Sequence, residues 1–200
     1  LYIGIYKQCQ KKWLKMFSIF SSYVQKDLFT LNIKNMKKEI LNMKVKNKGR
    51  IISNYNGWQS ENYLKINKNF KKLFNQINLS VKEIEKNLNL EKKLFLHNYW
   101  CNINYLSCFN RPHNHLGAVI SGVYYVSTPK NCGNLVLENY DGNKHTTYKF
   151  VKKYNEYSST KWTVIPEENL CVLFPSYLVH YVEPNLNKKE RISISFNYGF

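Results

Sequence analysis

The segment ERISISFN, residues 190–197, alternates strictly between two kinds of side chain. On a strand, Ile192, Ile194 and Phe196 fall on one face, and Arg191, Ser193, Ser195 and Asn197 on the other. The aliphatic face calls for a core. The opposite face is polar along its whole length and begins with an arginine. Such a strand either faces solvent on its polar side or lines a barrel built to receive an anion. In the second case Arg191 would fork onto a carboxylate and Ser193 would add a hydroxyl.

The same texture extends back to residue 94. LFLHNYWCNINYL, AVISGVYYV, GNLVLENY, HTTYKFV, KWTVI, LCVLF and LVHYV are short, rich in β-branched and aromatic residues, and punctuated by turn residues. Asp141-Gly142 is a hairpin signal. Together with RISISFNY they make eight short strands with no helix between them. That pattern predicts an antiparallel sandwich or barrel, such as a jelly roll.

Toward the N-terminus the period changes to that of a helix. LNIKNMKKEILNMKVKN (31–47) predicts a helix ending near Gly49, and ENYLKINKNFKKLFNQINL (61–79) a second. SVKEIEKNLNL (80–90) opens with Ser80 and Glu83, spaced as a capping box that starts a third. SNYNGWQS (53–60) reads as a loop, with Trp58 a packing anchor between the helical and β parts. Residues 1–93 are therefore expected as an N-terminal helical region packed outside the sheet, and residues 94–200 as the β core, in one structural domain without internal repeats.

The bulk composition fits such a fold. Hydrophobic residues make up 44% and aromatics 16% of 200 residues, enough for a substantial core. The five cysteines are scattered, odd in number and contain no C-x-x-C pair, which argues against a disulfide framework and suits a reducing cytoplasm. No apolar run approaches the roughly 18–20 residues that span a bilayer. MFSIFSSYV (16–24) is short, serine-broken and lacks a small-residue cleavage site, so it reads as ordinary structure, although Met16 is a candidate start. The net charge of +17 raises nucleic-acid binding as a possibility. Yet only three residues are arginine, the residue that makes bidentate phosphate and base contacts, and the lysines concentrate before residue 94. Weak, non-specific nucleic-acid binding is the expectation.

RPHNHLGAVISGVYY (111–125) places His113 and His115 on one side of a strand, with Asn114 on the other. Such a pair is either a metal site or two surface polars. In LFPSYLVHYVEP (173–184), His180 stands where the pattern wants an apolar residue, and Arg191 follows eleven residues later. Together, the same-face histidine pair, the embedded histidine and the arginine on a polar strand face favour a metal centre. His97 and His145 have no partner pattern and read as structural or surface residues.

The order of these elements resembles the Fe(II)- and 2-oxoglutarate-dependent oxygenases, and most closely a bacterial and phage group within them. The resemblance covers about residues 50–199 and rests on SNYNGWQS, HNHLGAVISGVYYV, CGNLVLEN, LFPSYLVH and RISISFN. It implies a double-stranded β-helix, the cupin-like jelly roll. It further implies iron(II) held by the catalytic residues His113, His115 and His180, with 2-oxoglutarate chelating the metal and its far carboxylate on Arg191 and Ser193. Dioxygen would then support hydroxylation of an unidentified substrate, with release of succinate and carbon dioxide. By similarity to a nucleic-acid-repair branch, Asn102 and Asn104 are candidate cosubstrate contacts. Tyr124 is another, with Tyr125 as the alternative, since one of the two faces inward. The wider superfamily has a carboxylate where His115 stands. Three imidazoles also suit zinc, and Glu138 is an alternative carboxylate ligand. Two other readings stay open: a three-histidine cupin-type dioxygenase that does not use 2-oxoglutarate, and a non-enzymatic basic binding module. Protein prolyl residues, a free amino acid, a lipid and a nucleobase all remain possible substrates.

Overall fold

In the computed structural model, residues 21–139 and 150–200 are described. The candidate start at Met16, the Asp141-Gly142 turn, His145 and most of the expected strand HTTYKFV lie outside them.

Eleven strands are assigned among the described residues. They are β1 (Gln25–Leu28), β2 (Asn54–Tyr55), β3 (Trp58–Gln59), β4 (Phe95–Asn104), β5 (Phe109–His113), β6 (Ile120–Ser127), β7 (Leu135–Glu138), β8 (Lys161–Val164), β9 (Leu170–Pro175), β10 (Val179–Val182) and β11 (Arg191–Gly199). Their pairings are antiparallel, in a six-stranded sheet ordered β1-β9-β6-β11-β4-β3 and a five-stranded sheet ordered β2-β5-β10-β7-β8. The two sheets form the jelly roll of a double-stranded β-helix.

β11 sits inside the larger sheet, between β4 and β6. Its Ile192, Ile194 and Phe196 are fully buried against the helical layer, together with Tyr99, Cys101 and Ile103 of β4. That layer is α1 (Ile33–Lys46) and α2 (Lys71–Asn87). Asn32 caps α1 by accepting from the Lys34 N–H, and Lys44 and Lys46 in its last turn complement the helix dipole. α2 buries a stripe of Leu73, Phe74, Ile77, Val81 and Ile84, which has helical spacing. No helix among these residues is long and apolar enough to cross a membrane. A second apolar cluster, with Leu135, Leu137, Val164, Val172 and Phe174, fills part of the space between the sheets.

Several local expectations are corrected. Ser80 does not start a helix. It lies inside α2, buried, with its hydroxyl on the Gln76 carbonyl. The S-x-x-E pattern can occur in a helix interior, and the apolar stripe from Leu73 to Ile84 carries the helix through it. Residues 61–67 are not helical, and Tyr63 instead forms a β-bridge with Tyr99. SNYNGWQS is not only a loop: it carries two two-residue strands that cross from one sheet to the other, with β2 pairing β5 and β3 pairing β4. Trp58 within it is buried and donates its indole N–H to the Asn47 carbonyl just beyond α1. β1 falls outside the sequence expectation, because QKDL lacks the β-branched texture of its neighbours, and the strand expected to carry both His113 and His115 is β5, which ends at His113 and leaves His115 beyond it.

Candidate active site

The polar face of β11 looks into a cavity of about 50 Å³ between the sheets. β5 and β10 pair so that His113 and His180 are direct cross-strand partners, and His115 follows two residues beyond His113. The ring centroids lie 4.3 Å apart for His113–His180 and 5.0 Å apart for each of the other two pairs. One nitrogen from each ring lies within 4.8 Å of the others. This is a tight convergence of one buried side chain, His180, with two half-buried ones, His113 and His115.

Backbone carbonyls set the tautomers of two of the rings. His113 Nδ1 lies 2.7 Å from the Arg111 carbonyl and His180 Nδ1 lies 2.9 Å from the Leu178 carbonyl. A carbonyl can only accept, so each Nδ1 carries its proton and each Nε2 keeps a free lone pair. Trp100 packs edge-on to His115 with centroids 5.5 Å apart, and Phe174 packs on His180 at 4.8 Å. Burial lowers all three proton affinities. His115 is pushed down to about 4, with a further contribution from His113, and His180 to about 3. His113 is also lowered, mainly by burial. Three neutral imidazoles with open lone pairs make a donor set for a divalent transition metal.

Arg191 lies at the other end of the cavity. It is 2% exposed, the largest fully buried side chain among the described residues. Its Nη1 donates to the carbonyls of Cys132 and Gly133 at 2.9 and 3.1 Å. None of the ion pairs among the described residues includes it. Guanidinium has five N–H donors, so those on Nε and Nη2 have no partner among the described residues. Ser193 and Asn102 are buried and line the same space. Asn102 donates to the Ser195 hydroxyl at 3.0 Å, while its Oδ1 is buried without a partner. Leaving such groups unmet away from water is costly. The free guanidinium N–H groups facing a polar cavity therefore fit a small dicarboxylate, whereas the Asn102 Oδ1, an acceptor, calls for a donor and is not met by a carboxylate.

Other expected site residues are placed elsewhere. Asn104 is buried and does not line the cavity itself; its amide donates to Asn110, which does. Tyr124 faces the helical layer and donates to Asn169, so it is not a cavity residue. Tyr125 takes the inward position. The signal for that parity is Ser121, which shares a face with Tyr125 and lines the cavity as well. Glu138 lies outside the metal cluster, pairing Val179 in the ladder and Lys161 through its carboxylate at 2.6 Å. His97 sits near the C-terminus, with Nε2 3.2 Å from the Phe200 carbonyl. Trp100, Phe174 and the carbonyls of Cys132 and Gly133 escape a reading of the sequence. Carbonyls carry no side-chain signal, and the two aromatics read as ordinary strand packing.

A three-histidine centre and a buried arginine across one jelly-roll cavity define a metal-dependent oxygenase of the double-stranded β-helix class. Residues 98–197 match the profile of the family described as "Putative 2OG-Fe(II) oxygenase". The chain belongs to this family and is an iron(II)- and 2-oxoglutarate-dependent oxygenase. No curated protein matches it at a significant level. Solved structures show the same fold at low identity. A prolyl-4-hydroxylase from Pseudomonas putida aligns with a TM-score of 0.60 at 14% identity, covering 88% of this chain and 91% of its own. The viral collagen prolyl hydroxylase of Paramecium Bursaria Chlorella virus-1, solved with 2-oxoglutarate, gives 0.60 at 11%, covering 89% and 97%. The Trichoplax adhaerens prolyl hydroxylase, solved with a hypoxia inducible factor peptide, gives 0.64 at 12%, covering 88% and 83%.

Proposed function

We propose that His113, His115 and His180 hold the iron through Nε2, and that Arg191, with Ser193 and Asn102, holds the far carboxylate of 2-oxoglutarate. The enzyme then hydroxylates a C–H bond of a primary substrate. The observation that carries this reading is Arg191. A guanidinium this deeply buried, answered only by two backbone carbonyls, calls for an anion. Iron(II) and 2-oxoglutarate supply the means of activating dioxygen, with succinate and carbon dioxide as products.

The chain's own residues position and shield. The carbonyls of Arg111 and Leu178 hold His113 and His180 in the tautomer that presents Nε2. Phe174 and Trp100 pack against the imidazoles and keep bulk water from the metal side. Ser195 accepts from the Asn102 Nδ2 and fixes that amide, whose second Nδ2 hydrogen is the one able to donate to the bound carboxylate. The carbonyls of Cys132 and Gly133 hold one edge of the Arg191 guanidinium, leaving the other edge as the fork. A cytoplasmic setting fits the four described cysteines, all free and buried. The helical region before residue 94 and the β core act as one domain, because β1, β2 and β3 are strands of the two sheets.

The test is succinate formation coupled to oxygen uptake by iron-loaded protein, together with calorimetric titration of 2-oxoglutarate. Arg191→Lys keeps the charge and loses the fork, so its affinity should fall about tenfold or more, as expected for a charged hydrogen bond of roughly 1.5–3 kcal/mol. Oxygen uptake without a 2-oxoglutarate requirement would instead mark a three-histidine dioxygenase.

A further inference from the structure

A second chamber of about 290 Å³ adjoins the inner cavity, sharing Ser53, Trp100, His113 and His115 with it. Building on the reading above, its contact with two of the three proposed ligands makes it the place where a primary substrate meets the metal. Arg111 lines the chamber, and Arg111 is in none of the ion pairs among the described residues, whereas Arg50 pairs with Glu61. The Arg111 guanidinium lies over the Tyr55 ring at 6.0 Å, and Tyr55 stacks on Phe109 at 4.8 Å. The fork is thus braced by an aromatic pair rather than held by a carboxylate. The backbone beneath it is fixed as well, since the Arg111 N–H donates to the Ser53 carbonyl at 2.8 Å.

Two further lining residues point the same way. Trp100 and Gln59 line it too; neither the indole N–H nor the Gln59 carboxamide is bonded to a described residue, and neither is sealed from solvent. No described carboxylate lines the chamber. Arg111 is exposed, and the free groups at the chamber are mostly donors, which suits a ligand rich in acceptors and carrying negative charge.

We propose that the outer chamber seats the primary substrate and that this substrate carries an anionic group, a carboxylate or a phosphate, taken by the Arg111 fork with the Trp100 indole N–H as a further donor. The chamber volume suits a residue-sized or nucleotide-sized fragment. The rest of the substrate extends toward the metal side, beside His113 and His115.

The test uses the full chain loaded with manganese(II) and 2-oxoglutarate under nitrogen, titrated calorimetrically at fixed salt. Binding of 2-oxoglutarate to the wild type is measured first. Its absence would refute the underlying oxygenase-site reading, and the substrate inference with it. Two matched pairs follow: AMP beside adenosine, and N-acetylglutamate amide beside N-acetylglutamine amide. In at least one pair the anionic member should bind about tenfold more tightly or better. The pair that discriminates identifies phosphate or carboxylate as the source. Arg111→Gln should bring the ratio close to one, Arg111→Lys should leave part of it, and Arg50→Gln should keep it whole. With 2-oxoglutarate bound normally, a ratio near one in both pairs, or a ratio that survives Arg111→Gln, would overturn the inference and leave the oxygenase reading intact.

Discussion

Arg191→Met separates a binding role from a structural one. Methionine roughly fills the aliphatic volume and removes the charge. Two opposing effects follow in the protein without cosubstrate. Loss of the charge-assisted bonds to Cys132 and Gly133 costs about 1.5–3 kcal/mol each. Relief from burying a cation with no carboxylate partner returns several kcal/mol. The two nearly cancel, so the variant should melt within about 2 kcal/mol of wild type. That is a shift of at most roughly 4–8 °C for a chain of this length. Cosubstrate breaks the balance. At one hundred times its dissociation constant, 2-oxoglutarate adds about 2.7 kcal/mol to the wild type, or roughly 5–10 °C. The variant should gain almost nothing. Melting curves with manganese(II), with and without 2-oxoglutarate, measure both quantities. An equal cosubstrate shift in the two proteins would refute the pairing of Arg191 with the carboxylate. A loss above about 4 kcal/mol without cosubstrate would mean that the backbone carbonyls alone account for the arginine.

His180→Ala should lose stoichiometric iron while Glu138→Gln keeps it, measured by metal analysis after gel filtration, because Glu138 is committed to Lys161. In the metal-free protein, His115 and His180 have folded proton affinities below the unfolded 6.5, at about 4 and about 3. The unfolded chain therefore binds more protons between those values, and stability should fall as pH drops from about 6.5 toward 4. Urea melts should show that slope, and a His115→Gln, His180→Gln double variant should flatten it. Gly133→Ala places a Cβ 2.1 Å from the Glu183 carbonyl oxygen at a φ of +84°. It should destabilise the fold by about 2 kcal/mol or more and weaken 2-oxoglutarate binding through the carbonyl that Arg191 uses.

The parts of this fold that can be read in sequence are those where one face of an element meets one environment. ERISISFN alternates because β11 separates the helical layer from the cavity. That alone locates Arg191 and Ser193 on the cavity side. His113, His115 and His180 are grouped by order and spacing, and the cross-strand pairing of His113 with His180 is a tertiary fact no local pattern carries. The start of β5 escapes detection because FNRPH presents a histidine, a proline and an exposed arginine in place of an apolar face. The choice of Tyr124 over Tyr125 fails because both residues suit a strand, and the parity lies in neighbouring Ser121. At Ser80, four residues satisfy a start signal that the longer apolar stripe of α2 overrides.

The crossing segment of β2 and β3 has a consequence for association between molecules. By giving one strand to each sheet, it occupies the border of both on the same side of the sandwich. The borders opposite are β1 and β8 among the described residues. A bare strand border is a template on which another chain can polymerise. β1 carries Lys26 and Asp27 in a four-residue strand, and β8 opens with Lys161, already tied to Glu138. Short length and fixed charge make both borders poor templates. Among the described residues, then, the borders β1 and β8 offer little template for a sheet shared between copies.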